Sequence, residues 1–248
     1  MSASPWSLDG HIARVEAGPL RALIDLRDPA GGLQEVQLGG QPVRANLLGV
    51  LLEPHVPTSP ADAYVRCKDL VATYPASDCG LLRVQVYWRC QVHLSWLAIE
   101  LQVSVQTDQL GIATPLVAHS QLEAVQATRL SDAARASVAP LSLESGAQQE
   151  LAPQDGPGCL LFDVPASNWT YVEMIHPADF QGDRLAIAAT PGGARRASLE
   201  HRLFPGSLEK GVILRSRVRG LFIPKRDAVM GASAGYQEFL RSPLPLTT

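Results

Sequence analysis

The strongest signal in the chain is alternation. Across residues 82–90, Leu82, Val84, Val86 and Trp88 alternate with Arg83, Gln85, Tyr87 and Arg89. Across residues 96–106, Leu97, Ile99, Leu101, Val103 and Val105 alternate with Trp96, Glu100, Gln102, Ser104 and Gln106. Successive side chains of a strand point to opposite faces, so each segment predicts a strand with one apolar and one polar face. The short link at residues 92–95 predicts an antiparallel hairpin between them. Residues 208–223 repeat the pattern, with Val212, Leu214 and Val218 facing one way and Glu209, Arg215, Arg217 and Arg219 the other.

Shorter runs of the same kind predict strands at 11–17, 21–28, 33–38, 43–52, 63–73, 111–129, 159–164, 170–175, 184–190 and 197–204. Turn-forming clusters separate them: Asp28-Pro29-Ala30-Gly31-Gly32, the loop holding Pro54, Pro57 and Pro60, Asp78-Cys79-Gly80, and Gln154-Asp155-Gly156-Pro157-Gly158. Residues 131–149 are less regular, and 133–138 are compatible with a short helical turn. The best helix candidate is 232–240, where Tyr236, Phe239 and Leu240 have helical spacing and Ser242-Pro243 supplies a stop. There is no internal repeat and no long linker. The expectation is an all-β chain: a large antiparallel two-sheet sandwich, one domain over residues 1–248, with one short C-terminal helix.

Composition narrows the function. With 46% hydrophobic and 18% charged residues over 248 positions, the chain can bury a sizeable core and is not disordered. A net charge of -3 offers no basic excess for nucleic acid. No apolar run approaches the roughly 18–20 residues that span a bilayer, so no membrane partner is expected. Residues 1–10 lack a basic stretch followed by an apolar run, which predicts a cytoplasmic protein with reduced thiols. Cys67, Cys79, Cys90 and Cys159 form no CxxC pair, so no metal site is expected, and Cys67 and Cys90 read as core residues of strands. No phosphate-binding glycine loop, HExxH or GxSxG motif occurs, and no cofactor is predicted.

The strings at 96–108 (Trp-Leu-Ala-Ile-Glu-Leu-Gln-Val-Ser-Val-Gln-Thr-Asp) and 208–219 (Leu-Glu-Lys-Gly-Val-Ile-Leu-Arg-Ser-Arg-Val-Arg) resemble central strands of the galactose mutarotase-like β-sandwiches. That group includes the aldose 1-epimerases and the large sandwich domains of many carbohydrate-active enzymes. The resemblance is one of strand pattern and length over about the last two thirds of the chain. It implies a super-sandwich whose concave sheet face binds sugar. For epimerase chemistry it implies a His general acid and a Glu general base, and His176 and Glu209 are the nearest candidates. His176 would protonate the ring oxygen while Glu209 takes the proton at the anomeric centre.

Three clusters carry the residue types that sugar recognition needs. The stretch 168–179 packs Asn168, Trp169, Tyr171, Glu173, His176 and Asp179 together, a mix that can stack on a pyranose and bond its hydroxyls. On a straight strand Glu173 and His176 point to opposite faces. Arg215, Arg217 and Arg219 form a row suited to the carboxylate or phosphate of an acidic sugar, or to a paired, solvated face. The polar face of Arg83, Gln85, Tyr87 and Arg89, beside Trp96, Glu100 and Gln102, merges with that row if the strands share a sheet. His201 is a further candidate sugar contact, and His119 reads as structural. The expected binding set is therefore Arg89, Trp96, Trp169, Glu173, His201, Arg215 and Arg217, with a small carbohydrate as ligand. Two functions remain open: an aldose 1-epimerase-like isomerase, or a non-catalytic sandwich that presents the same face to a glycan or protein. Edge strands leave room for a homo-oligomer.

Overall fold

A computed structural model describes residues 4–52, 59–76, 81–113, 116–191, 193–204 and 206–243. Most of the proline loop at 54–60 and the turn at 78–80, with Cys79, lie outside the described residues.

The chain opens with a meander of β1 (Trp6–Asp9), β2 (Ile12–Ala17), β3 (Leu20–Asp25), β4 (Gln34–Leu38) and β5 (Gln41–Pro42), paired in that order. It continues through β6 (Ala45–Leu51), β7 (Asp62–Arg66), β8 (Asp69–Tyr74), β9 (Arg83–Val92), β10 (Leu97–Gln106), β11 (Ile112–Ala113), β12 (Leu116–Ala124), β13 (Gln126–Asp132) and β14 (Ser137–Pro140). The last strands are β15 (Gln148–Leu151), β16 (Cys159–Asp163), β17 (Trp169–Ile175), β18 (Asp183–Ala189), β19 (Arg195–Leu203), β20 (Ser207–Leu208) and β21 (Ile213–Pro224). Helix α1 (Ala228–Arg241) follows.

Among the described residues, nine strands make the main sheet, in the order β14-β13-β16-β17-β21-β10-β9-β8-β7. Five make a second sheet, β15-β18-β19-β12-β6, and β11 pairs with β20. A bridge between Leu33 and Leu47 links the N-terminal meander to the second sheet. The N-terminal sheet is an addition to the two-sheet expectation. Side chains from all three sheets enter one continuous core, among them Ile24, Val86, Leu101, Leu122 and Leu199.

The alternation read from the sequence is the alternation of the main sheet. In register, Leu101 lies between Trp88 and Val218, and all three face the core. On the other face Glu100 lies between Arg89 and Arg219, Gln102 between Tyr87 and Arg217, and Ser104 between Gln85 and Arg215.

Helix α1 covers one end of that outer face. Ala228, Ala232, Tyr236 and Phe239 seat on Leu161, Val172, Met174, Leu221 and Ile223. The helix lies close because two of its residues lack a Cβ: one added at Gly235 would stand 2.5 Å from Leu221 Cδ1, and one at Gly231 3.0 Å from Ile223 Cγ2. Glycine costs a helix about 1 kcal/mol relative to alanine, and here it permits the close approach. The helix ends at Ser242, whose N–H reaches the Glu238 and Phe239 carbonyls before Pro243.

Three readings are corrected. Residues 63–73 are not one strand but the hairpin β7–β8, which turns at Cys67 with φ +55°. Cys67 is therefore exposed at a turn, whereas Cys90 and Cys159 are buried. Residues 133–136 are a turn leading into β14, not a helix. Among the described residues no helix is long and apolar enough to cross a membrane.

Candidate functional site

The outer face of the main sheet is strongly polar away from α1. Two ion pairs organise its upper part. Arg219, 1% exposed, donates to Glu100 Oε2 from Nε at 3.0 Å and from Nη2 at 2.7 Å. Arg89 holds Asp69 in a two-pronged grip at 2.7 and 2.9 Å. Fork-shaped pairs of this kind fix both partners in plane. Arg217 lies between α1 and the sheet. Its guanidinium donates to Ser242 Oγ at 3.0 Å and to the Ser242 and Pro243 carbonyls at 3.2 and 3.3 Å, clasping the end of the helix to the sheet.

Lower on the same face, towards the Gln106 end of β10, the sheet opens into a pocket of about 350 Å³. Asp62 of β7, Thr73 of β8, Arg83 and Gln85 of β9, Ser104 and Gln106 of β10, and Arg215 of β21 line it. Five strands supply these groups in lateral register, so alternation alone aims them at one space. Gln85 Nε2 donates to Thr73 Oγ1 at 3.1 Å, and the Tyr87 hydroxyl donates to Gln85. Burial raises the Tyr87 phenol above its ordinary value, so it remains a donor at neutral pH.

Of the residues expected at a site, Arg215 lines this pocket. Arg89 and Arg217 share its face, but their guanidinium groups already hold Asp69 and the Ser242–Pro243 carbonyls. His176 is half-buried at the end of β17, edge-on to Phe239 at 5.5 Å. Burial first, and then the Arg217 charge, push its imidazole below the ordinary value. The carboxylates that act on it are Asp179 and Glu100. Glu209 is not on the sheet face. Gly211, at φ +80°, closes a turn with its N–H on the Thr107 carbonyl, so β21 begins only at Ile213 and Glu209 stays exposed before it. Trp96 and Trp169 come together, but in a separate apolar pocket of about 220 Å³ at the Leu97 end of β10, with Pro19 and Pro224. One face of Trp96 is covered by His93, stacked at 4.7 Å.

Glu173 and His201 are corrected most. Both are sealed between the sheets, His201 at 0% exposure. His201 and Asp183 are direct cross-strand neighbours of β19 and β18, and Glu173 reaches them from the main sheet. His201 Nδ1 lies 2.7 Å from Asp183 Oδ1, and Nε2 lies 2.9 Å from Glu173 Oε1. Glu173 Oε2 accepts from Ser120 Oγ at 2.5 Å and from the Tyr171 hydroxyl. Ser120 in turn accepts the Leu48 N–H at 2.8 Å. Gly220 makes room for the Tyr171 phenol, since a Cβ there would stand 2.7 Å from its oxygen. Burial alone would lower the His201 pKa, but Asp183 and then Glu173 more than reverse this and push it up to about 10. The ring is thus an imidazolium with both N–H groups committed. It bolts one sheet to the other and presents nothing to a ligand.

Asp62 and Thr73 were missed as site residues, and Arg83 was placed on the polar face but left out of the expected binding set. The hairpin turn at Cys67–Lys68 carries the missing signal for the first two. Once β7 and β8 are separated there, Asp62 and Thr73 fall opposite each other on the polar face. Among the described residues, no group of three His, Cys, Asp or Glu side chains is arranged to hold a metal ion.

No protein-family model matches the chain, and no curated protein matches it. Solved structures do. A candidate aldose 1-epimerase of Escherichia coli superposes with a TM-score of 0.56 at 9% identity, over 85% of this chain and 98% of that one. The Slr1438 protein of Synechocystis superposes with a TM-score of 0.58 at 11% identity, over 90% and 99%. A galactose mutarotase related enzyme of Lactobacillus acidophilus gives 0.50 at 9% identity, over 86% and 97%. The fold is that of the galactose mutarotase-like sandwiches, as the strand pattern at 96–108 and 208–219 led us to expect.

Proposed function

We propose that this chain binds a sugar or an acidic sugar derivative on the outer face of its nine-stranded sheet, in the pocket between β7 and β21. The observation that carries this reading is the pocket. About 350 Å³ is lined by hydroxyl, amide, carboxylate and guanidinium groups from five neighbouring strands. Each of these can donate to or accept from a ring hydroxyl, and the volume suits a small ligand. The names of the superposed proteins, an aldose 1-epimerase candidate and a mutarotase-related enzyme, support a carbohydrate ligand.

Binding without catalysis is the reading the geometry favours. Ring opening needs an acid and a base that reach the same sugar. His176 is directed at Phe239, and burial and the Arg217 charge disfavour the protonated form that a general acid needs. Glu209 lies in the exposed turn before β21. Aldose 1-epimerase activity is the second reading, supported by whole-length superposition on the Escherichia coli protein.

Ligand-observed NMR on glucose, galactose, galacturonate and glucose 6-phosphate decides between them. The expected result is saturation transfer to at least one sugar, lost in Asp62→Ala, with no acceleration of anomer exchange. Accelerated exchange that disappears in Glu209→Gln would establish the isomerase. Absence of binding by all four sugars would overturn both readings.

A further inference from the structure

We propose that the apolar pocket at the Leu97 end of β10 is a contact between two copies of this chain, each inserting Leu94 into the pocket of the other. This contact is independent of the sugar-binding reading, whose pocket lies at the Gln106 end of the same strand. Three observations carry it.

The first is a knob that the turn does not need. The link between β9 and β10 is His93-Leu94-Ser95-Trp96, closed by the His93 N–H on the Trp96 carbonyl at 2.9 Å. It contains no Gly, Asn, Asp or Pro, the residues that most favour tight turns. Its shape is held by its other side chains. The Ser95 N–H donates to His93 Nδ1 at 3.3 Å, and the His93 ring stacks on Trp96 at 4.7 Å. Leu94 is fully exposed, and Val92 beside it is 64% exposed. Burying either of them in a partner is favourable, because it removes apolar surface from water.

The second is a hole beside the knob. The pocket of about 220 Å³ lies between Pro19 of the β2–β3 turn, Trp96 and Leu97 of the hairpin, Trp169 of β17 and Pro224 of β21. Leu94 belongs to its lining but is itself fully exposed, so it stands at the mouth and leaves the hole open. Knob and hole therefore sit side by side on one hairpin. A two-fold axis at the mouth exchanges them, and such an isologous interface requires a patch complementary to itself.

The third is charge. An isologous contact sets a patch against its own copy, where a charged group meets its like. Among the described residues lining this pocket there is no Asp, Glu, Lys or Arg. The sugar pocket, in contrast, contains Asp62, Arg83 and Arg215. Lys225 follows Pro224 in the chain, but its ammonium is turned to the Val164 carbonyl at 3.0 Å. Each copy carries a net charge of -3, so two copies approach most easily through an uncharged patch. The patch is small, and the dimer is therefore weak and concentration-dependent.

Sedimentation velocity on the full chain from about 1 μM to about 1 mM, the span of weak association, tests this, with tryptophan emission read at each concentration. The expected result is a reversible monomer–dimer equilibrium. Emission should shift to the blue as the dimer forms, because Trp96 and Trp169 line the contact. Leu94→Asp removes both knobs and sets charge against apolar surface. It should lower the association constant at least about a hundredfold, with the melting temperature of the monomer unchanged. A parent protein that stays monomeric over the whole range would overturn the proposal and leave the patch to an apolar ligand or another protein. A dimer that persists in Leu94→Asp would overturn it too, and would place the contact elsewhere, as at an edge strand. Loss of the dimer in Leu94→Asp without any emission shift in the parent would overturn the pocket as the seat of Leu94.

Discussion

Two polar regions lie back to back on the main sheet, and they use nearly the same residue types. Between the sheets, Glu173, His201, Asp183, Ser120 and Tyr171 form a sealed network. On the outer face, Asp62, Thr73, Arg83, Gln85, Ser104 and Arg215 line an open pocket, and Gln102 and Arg217 are buried in the same face next to Ser104 and Arg215. Inside, donors meet acceptors almost one for one, and Asp183 Oδ2 is the oxygen left over. Outside, Gln102 Nε2 and Arg217 Nε are buried donors that have no hydrogen-bond partner among the described residues. Residue type does not separate a ligand site from an internal bolt. What separates them is whether the protein has already satisfied the groups, and whether solvent can reach them.

The comparison is broken most forcefully at its buried end. His201→Ala leaves Glu173 and Asp183 facing each other in a dry interior without their shared cation. Removing one partner of a buried ion pair costs about 3–5 kcal/mol, and urea denaturation should show a loss of that size. A loss below about 1 kcal/mol, the worth of an exposed pair, would mean that the network contributes little and that the two regions differ less than their geometry implies.

The same network sets a pH dependence with a definite sign. The folded-state pKa of His201 is raised to about 10, above the ordinary value near 6.5. The stabilisation is then complete below about pH 6.5 and is lost as pH rises through the folded-state value. The melting temperature should therefore fall steadily from pH 7 to pH 10. His201→Gln should be less stable throughout and should lack this component of the slope. Parallel pH profiles for the two proteins would show that His201 is neutral in the fold.

The sequence pattern made one of these regions far more legible than the other. Period-two alternation identified both faces of β9, β10 and β21, and so brought Arg83, Gln85, Tyr87, Arg215 and Arg217 onto one surface before any pairing was known. That inference is local, because each strand carries its own phase. It failed where the phase is interrupted. The turn at Cys67–Lys68 hid the hairpin that contributes Asp62 and Thr73, and the turn closed by Gly211 removed Glu209 from a face it seemed to share. The buried network was illegible for a different reason. His201 and Asp183 meet through the β18–β19 register, and Glu173 joins them only through the stacking of two sheets. No spacing along the chain encodes such a meeting. In sequence, Glu173 and His201 look like displayed polar residues.

The smallest expected effect probes the outer face without a ligand. Gln102 is 3% exposed, and its Nε2 has no hydrogen-bond partner among the described residues. A polar group held in that state is a cost to the fold, about 1–3 kcal/mol for an unsatisfied donor. Gln102→Leu keeps a similar volume and removes the donor. The variant should fold, with stability unchanged or raised by about 1 kcal/mol, while its affinity for a sugar bound by the parent protein falls. A residue that weakens the fold and strengthens binding is the signature of a site whose donors await an outside acceptor. The opposite result, a clear loss of stability with affinity intact, would place Gln102 with His201, as part of the structure that holds the face rather than part of what the face holds.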